Sequence, residues 1–322
     1  MKNVLTILLV VFTLVATAQD KKEMKRIVKD HGEFAQGKVF DKPSTVALLG
    51  TNLRFRVAAR ATASTSNKDD IQAKFQSFAV LDSVPESVFQ EITDEYNAMV
   101  RKRFEDLGFT VTDQADVKKV KSYAKLAEKG TAEKQNVVKS WGVANIYCPN
   151  GQDYVTYNGI KGPLGPHAKV ARELKAVLYS SLTTVDFCFI EMDADGNIGD
   201  NPYANQYIEG NAKVTPAISI HGYTYPLSGV KMLEDATYTF ATNDKGKYHN
   251  TMYKGMIVSD LSYSARTEKC SDCQPEFARK ANLFAHGMGT VVITADPEMY
   301  KKAVLDALTK YLDEVFMLYT AK

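Results

Sequence analysis

At 322 residues, 45% hydrophobic and 24% charged, the chain has the composition of an ordinary globular protein, which excludes the disordered and fibrous classes. Its formal net charge of +2 argues against a dedicated nucleic-acid binder, whose electrostatic footprint is a strong basic excess. No apolar run approaches membrane-spanning length, so no transmembrane span is expected.

Residues 1–18 read as a signal peptide: Lys2 gives a positive start, residues 4–15 an apolar stretch, and Ala16-Thr17-Ala18 a small-residue cleavage site. That stretch is about a dozen residues, short of the roughly twenty that cross a hydrocarbon core, so it predicts a cleaved signal and an exported chain starting at Gln19. No cysteine lies at or just after the cleavage site to take a bacterial lipid anchor. Roughly 300 residues then remain, enough for one large or two ordinary domains. We divide them into an α/β domain over 19–150 and a β-rich α+β region over 151–322, which could form one domain with the first.

Basic residues crowd the new N-terminus (Lys21, Lys22, Lys25, Arg26, Lys29) and a later helix (Lys118, Lys119, Lys121, Lys125, Lys129). Such runs at helical spacing are usually solvated faces, the alternative being a dock for an acidic partner or anionic lipid. Residues 45–63 read as a strand in which Leu53, Phe55 and Val57 alternate with Asn52, Arg54 and Arg56, the mark of a half-buried strand. A polar tip over 64–70 and a second run over 75–81 suggest a hairpin. Ser83-Val84-Pro85-Glu86 has the form of a capping box, and Val88, Ile92, Tyr96, Met99, Val100, Phe104 and Leu107 follow at helical spacing until Gly108, predicting a helix over 84–107. A short strand at 109–112 comes next.

Residues 116–129 and 131–140 read as two helices split by Gly130, the second carrying Trp141 to one side, and 143–148 as a strand entering the core. After a loop rich in Gly and Pro, residues 169–192 read as long strand, ended by a turn at 193–197. Residues 223–263 look β-rich with a hairpin tip at 243–246, and 289–295 form a buried-type strand. Asp296-Pro297-Glu298 then opens a helix with Val304, Leu308, Tyr311, Leu312, Val315, Phe316 and Tyr319 on one face. The order predicts an α+β or α/β fold, a mixed sheet covered on one face by a few long helices with the C-terminal helix packed on it.

Cys270-x-x-Cys273 reads as a disulfide loop or as paired thiols, and a Cys148–Cys188 bridge is open. Its flanks resemble a loop rather than the helix start that a redox site wants. Cys270, Cys273 and His286 have part of a zinc-finger spacing without a fourth ligand. Glu191, Asp193 and Asp195 before Gly196 match the first half of a calcium loop, whose twelfth position is here Pro202 instead of a bidentate Glu. No cofactor is expected, with calcium as the alternative. Nucleophile elbows, phosphate loops and HExxH motifs are absent from the sequence. Among the 17 tyrosines, Tyr147 and Tyr154, Tyr157, Tyr203, Tyr207, Tyr223 and Tyr225 stand in or beside loops, and the last six are the candidate partner-binding residues, since tyrosine stacks and hydrogen-bonds at interfaces.

The signal ending Thr17-Ala18-Gln19 resembles those of Bacteroidota envelope proteins. The strand at 45–58, capped helix at 84–107 and strand at 109–112 together resemble the α/β modules of the CsgG and TolB N-terminal type, over about a quarter of the chain. That resemblance implies a periplasmic module assembling with an outer-membrane export or envelope complex. The C-terminal helix departs from the β-rich sorting domain of type IX secretion, which favours the periplasm or the inner side of the outer membrane. The expected function is therefore a non-catalytic binding or assembly protein of the envelope, with a secreted hydrolase having a dispersed site as the alternative.

Overall fold

The computed structural model describes residues 22–31, 33–36, 38–41, 44–66, 72–130, 137–139, 142–155, 166–197, 207–222, 237–270 and 285–320. Residues 22–31 form helix α1. There follow β1 (Glu33–Gln36), β2 (Thr45–Ser66), β3 (Gln72–Asp82), α2 (Glu86–Asp106), β4 (Thr110–Val111), α3 (Gln114–Lys118), α4 (Lys121–Gly130), β5 (Val137–Lys139) and β6 (Gly142–Tyr147). The remainder comprises α5 (Pro166–Leu174), β7 (Val177–Asn197), β8 (Tyr207–His221), β9 (Tyr238–Thr242), β10 (Tyr248–Met252), β11 (Met256–Val258), β12 (Ser264–Cys270), β13 (Ala285–Ala295) and the long helix Pro297–Thr320, here α6. All thirteen strands among the described residues belong to one mixed sheet, so the fold is α+β.

Two very long strands, β2 and β7, organise the sheet. They lie parallel from Val46↔Val177 to Phe55↔Val185 and then part. Beyond that point β2 pairs antiparallel with β3, which continues to β13 and β12, while β7 pairs antiparallel with β8 and through it β11. On the other side of the parallel centre, β7 continues to β9, β10 and β1. Strands from either side of residue 150 are thus hydrogen-bonded neighbours, and the two expected regions share one sheet.

Helices cover both faces of the parallel centre. Val46, Leu48, Val177 and Tyr179 pack on α2 and α6, whereas Ala47, Leu49 and Leu178 pack on α3, α4 and α5 through Val117, Tyr123, Leu126 and Val170. The expectation of one covered face is met by the two long helices, and the three short ones are an addition to it. A register shift between Leu48 and Gly50 inserts one residue into β2, so that Leu53 and Phe55, of opposite parity to Val46 and Leu48, rejoin the α2–α6 core.

Helix α2 forms because Val88, Ile92, Tyr96, Val100 and Phe104 make one buried stripe. Each large side chain so buried is worth about 1.5–3 kcal/mol. Phe104 meets the rings of Phe40, Phe109, Tyr179 and Phe316, tying α2 to the sheet and to α6. The helix ends as expected at Gly108 (φ 84°). Its start differs from the expected capping box. Pro85 holds the cap position, no side chain caps the helix, and Ser83 takes φ 67° with its Oγ donating to Asp82 at 2.9 Å. A cap must be the extended residue just before the first helical one, and Ser83 stands two residues too early.

Other differences concern short runs. Residues 137–139, expected as helix, are strand β5 paired with β6, while residues 131–136 and Trp141 lie outside the described residues. Residues 169–174, expected as strand, belong to helix α5, which buries Val170 and Ala171. The turn expected at 193–197 is absent: β7 stays paired with β8 through Asn197. The opening of α6 is as expected, with Asp296 Oδ1 accepting from the Met299 N–H at 2.9 Å, and so are the hairpin of β2 with β3 and the tip at 243–246.

Candidate functional site

β2 and β7 part in mid-length, past Phe55 and Val185, and each continues into its own antiparallel arm, so the parting is a buried polar junction between the two arms. Both strands carry register irregularities there, β2 between Arg56 and Ala58 and β7 between Asp186 and Cys188. Where the ladder would place its next pair, an ion pair stands instead: Arg56 Nη1 donates to Asp186 Oδ2 at 2.8 Å. One step back, Arg54 Nη1 donates to Thr184 Oγ1 at 3.3 Å. The Thr184 N–H donates to Thr237 Oγ1 at 3.0 Å, and that hydroxyl donates to the His221 carbonyl at 2.9 Å, so one threonine links β7, β8 and the entry to β9.

Burial pushes the Asp186 carboxyl above its ordinary value, against the opposing pull of Arg56 and His221. Burial and the neighbouring Asp186 charge push the Cys188 thiol up as well, which keeps it protonated and unreactive. Tyr300 on α6 is raised by the same two causes in the same order. Ser219, directly across the ladder from Asp186, is wholly buried and its Oγ has no hydrogen-bond partner. The junction therefore gathers two guanidinium groups, one carboxyl with weakened acidity and several hydroxyls, bonded largely to one another in a buried setting.

Sequence reasoning saw Arg54 and Arg56 only as the solvent side of a half-buried strand. In fact Asn52 and Arg54 are each 2% exposed. The strand's edges are paired, with β6 on one and β7 on the other, and Arg54 turns its guanidinium to Thr184 of β7 instead of to water. Asp186 drew no notice, since nothing within its own segment marks a partner 130 residues away.

A second ionic cluster lies where α1 meets α6. Glu314 accepts from Arg26 Nη2 at 2.7 Å through one oxygen and lies 3.0 Å from His31 Nε2 through the other. The fully buried His31 ring stacks on Tyr311 and tilts against Tyr253. Burial alone would raise the Glu314 carboxyl, but the hydrogen bonds and charges of His31 and Arg26 prevail and hold it below its ordinary range.

Of the predicted tyrosines, Tyr154 is buried against Ile146, Leu182 and Tyr238, so it serves packing. Tyr207 begins β8 opposite Asn197. Tyr157, Tyr203, Tyr223 and Tyr225 lie outside the described residues. Glu191, Asp193 and Asp195 fall on the extended strand β7, opposite Lys213, Asn211 and Glu209, without the turn a calcium loop needs. Among the described residues no group of three or more His, Cys, Asp or Glu is placed to hold a metal ion. Cys270 is disulfide-bonded, which removes it as a zinc ligand or free thiol, and Cys273 lies outside the described residues. Neither Cys148 nor Cys188 is disulfide-bonded, so the bridge left open between them is not made. Among the described residues no helix is long and apolar enough to cross a membrane. Compared with known proteins, the chain matches no family model, no curated protein and no solved structure.

Proposed function

We propose that this chain is a non-catalytic binding or assembly protein of the bacterial envelope, periplasmic and associated with the outer membrane. The observation that supports this reading most is the surface of the β7–β8 arm. Glu191, Asp193, Asn211, Lys213 and Thr215 are exposed on it, while Met192, Ala212 and Val214 between them are half-buried. A hydrogen-bonded sheet presenting a regular polar face offers partners a rigid surface at little entropic cost. The signal-like N-terminus and the disulfide at Cys270 agree with an oxidising compartment.

The hydrolase alternative has one observation in its favour, the raised Asp186 carboxyl at the buried junction of β2 and β7. The two readings separate in one experiment on cells of the native host. The protein is chemically crosslinked in place, fractionated into periplasm and membranes, and its adducts identified by mass spectrometry, for wild type, Glu191→Lys with Asp193→Lys, and Asp186→Asn. The binding reading expects envelope-protein adducts that fall about tenfold with the charge reversal, with an unchanged melting temperature. Adducts indifferent to the arm, together with a hydrolytic activity that Asp186→Asn abolishes, would establish the alternative.

A further inference from the structure

Helix α1 is a polarised element. Ile27 and His31 are fully buried against the body and clamp it to α6 through Glu314. At about 100° per residue, Lys22, Lys25 and Lys29 fall within about 60° of one another on the side opposite Ile27. All three are exposed.

What sets them apart is their convergence on one helix face, since exposed lysines such as Lys175, Lys245 and Lys302 also meet no carboxylate among the described residues but stand singly. Lys102, Lys119, Lys301 and Lys310 each meet a carboxylate of their own chain, and Lys118 lies 3.5 Å from Asp153. Lys22, Lys25 and Lys29 meet none among the described residues. The surface extends beyond α1, because the Lys254 N–H donates to the Asp30 carbonyl at 2.5 Å and so places another exposed lysine at the end of the helix. An apolar side chain stands beside these charges: Val28 is 41% exposed on the flank of the stripe.

We propose that this lysine stripe is a docking surface for anionic phospholipid headgroups, holding the protein against a membrane by its N-terminal helix. Lysines near an anionic leaflet are each worth about 1 kcal/mol, and an apolar side chain among them suits the headgroup boundary better than the fully polar surface of an acidic protein. The near-neutral whole chain adds no long-range attraction of its own, so binding has to come from this local stripe. The inference deepens the membrane-associated part of the proposed function and rests on it for its setting. Its test does not, since it uses purified components.

The protein is purified as the host processes it, its N-terminus is read by mass spectrometry, and it is sedimented with vesicles of phosphatidylcholine alone or mixed with phosphatidylglycerol. Wild type is expected to sediment with the mixed vesicles, to ignore the neutral ones and to release at high salt. Lys22→Glu with Lys25→Glu and Lys29→Glu should lower partitioning on the order of 100-fold, with the melting temperature kept because all three sites are exposed. Lys118→Glu with Lys119→Glu serves as the control and should bind as wild type. Equal binding to neutral vesicles, a triple variant that binds like wild type, or a wild type that ignores anionic vesicles at low salt would each overturn the proposal, the last even if an acidic protein is captured instead. Loss of the crosslinked envelope partners with vesicle binding intact would count against the assembly reading alone.

Discussion

The two halves of β7 obey different rules. From Val177 to Val185 nearly every residue is buried, because β2 and β9 flank the strand and helices cover both faces. Beyond Phe189 the strand alternates, Glu191 and Asp193 exposed and Met192 half-buried, because only one face meets the other arm. Gly210 of β8 marks that meeting: a Cβ there would lie 2.6 Å from the Phe75 ring of β3 and 2.8 Å from Met288 Sδ of β13. The same strand is thus a core element for half its length and a surface for the other half. What separates the halves is a break in pairing sealed by one ion pair.

That contrast is broken most severely at the seal. Arg56→Met leaves the buried Asp186 carboxyl without its guanidinium and should cost about 3 kcal/mol, the low end for an orphaned buried charge because Arg56 keeps some solvent contact. Asp186 titrates above its unfolded value, so the stability it contributes is full in acid and is lost as the pH rises through its raised pKa. Removing Arg56 raises that pKa further. The variant should therefore be weakest near neutral pH and recover toward wild type in acid, which urea melts across pH will read. A deficit independent of pH would place the loss in packing and not in the charge.

An intermediate effect is expected within the arms. Gly210→Ala forces the Phe75 ring and Met288 to yield and should destabilise by about 1–3 kcal/mol. Amide exchange should rise in β3, β8 and β13 before it rises in α2. Uniform acceleration everywhere would mean that arms and centre unfold as one unit.

The smallest effect is expected where β3 turns into α2. Ser83→Ala removes only an exposed contact to Asp82 and should shift stability by less than about 0.5 kcal/mol, against about 1 kcal/mol for a true cap. A full cap-sized loss in thermal melts would restore the capping box.

Long periodic elements were legible in the sequence because their signal repeats. The stripe of α2 and the face of α6 with its Asp296 cap name their own surroundings, whereas the alternation of Leu53, Phe55 and Val57 names one buried face of a strand whose Asn52 and Arg54 are buried too. Val137–Lys139 and Val170–Ala171 were misread because short apolar runs fit either period, and tertiary pairing decided them. The shift beside Gly50 had a trace in the sequence, since Val46 and Leu48 fall out of step with Leu53 and Phe55. The junction of Arg54, Arg56 and Asp186 had none. Arg54 and Arg56 look like an ordinary polar face until β6 and β7 close around β2, and the closing strands lie far along the chain.

The clasp of α1 on α6 and the pairing of β2 with β7 also fix an order of events. Arg26 waits for a partner 288 residues downstream, and the central strand waits 130 residues for its neighbour. Hairpins such as β2 with β3 and β9 with β10 can close early, but the α1–α6 clasp must wait for the last described helix. Such high contact order places folding on the slow side, on the order of milliseconds to seconds. Helix Pro297–Thr320 completes the core that α2 and the sheet begin, so it is the element on which the clasp of α1 depends.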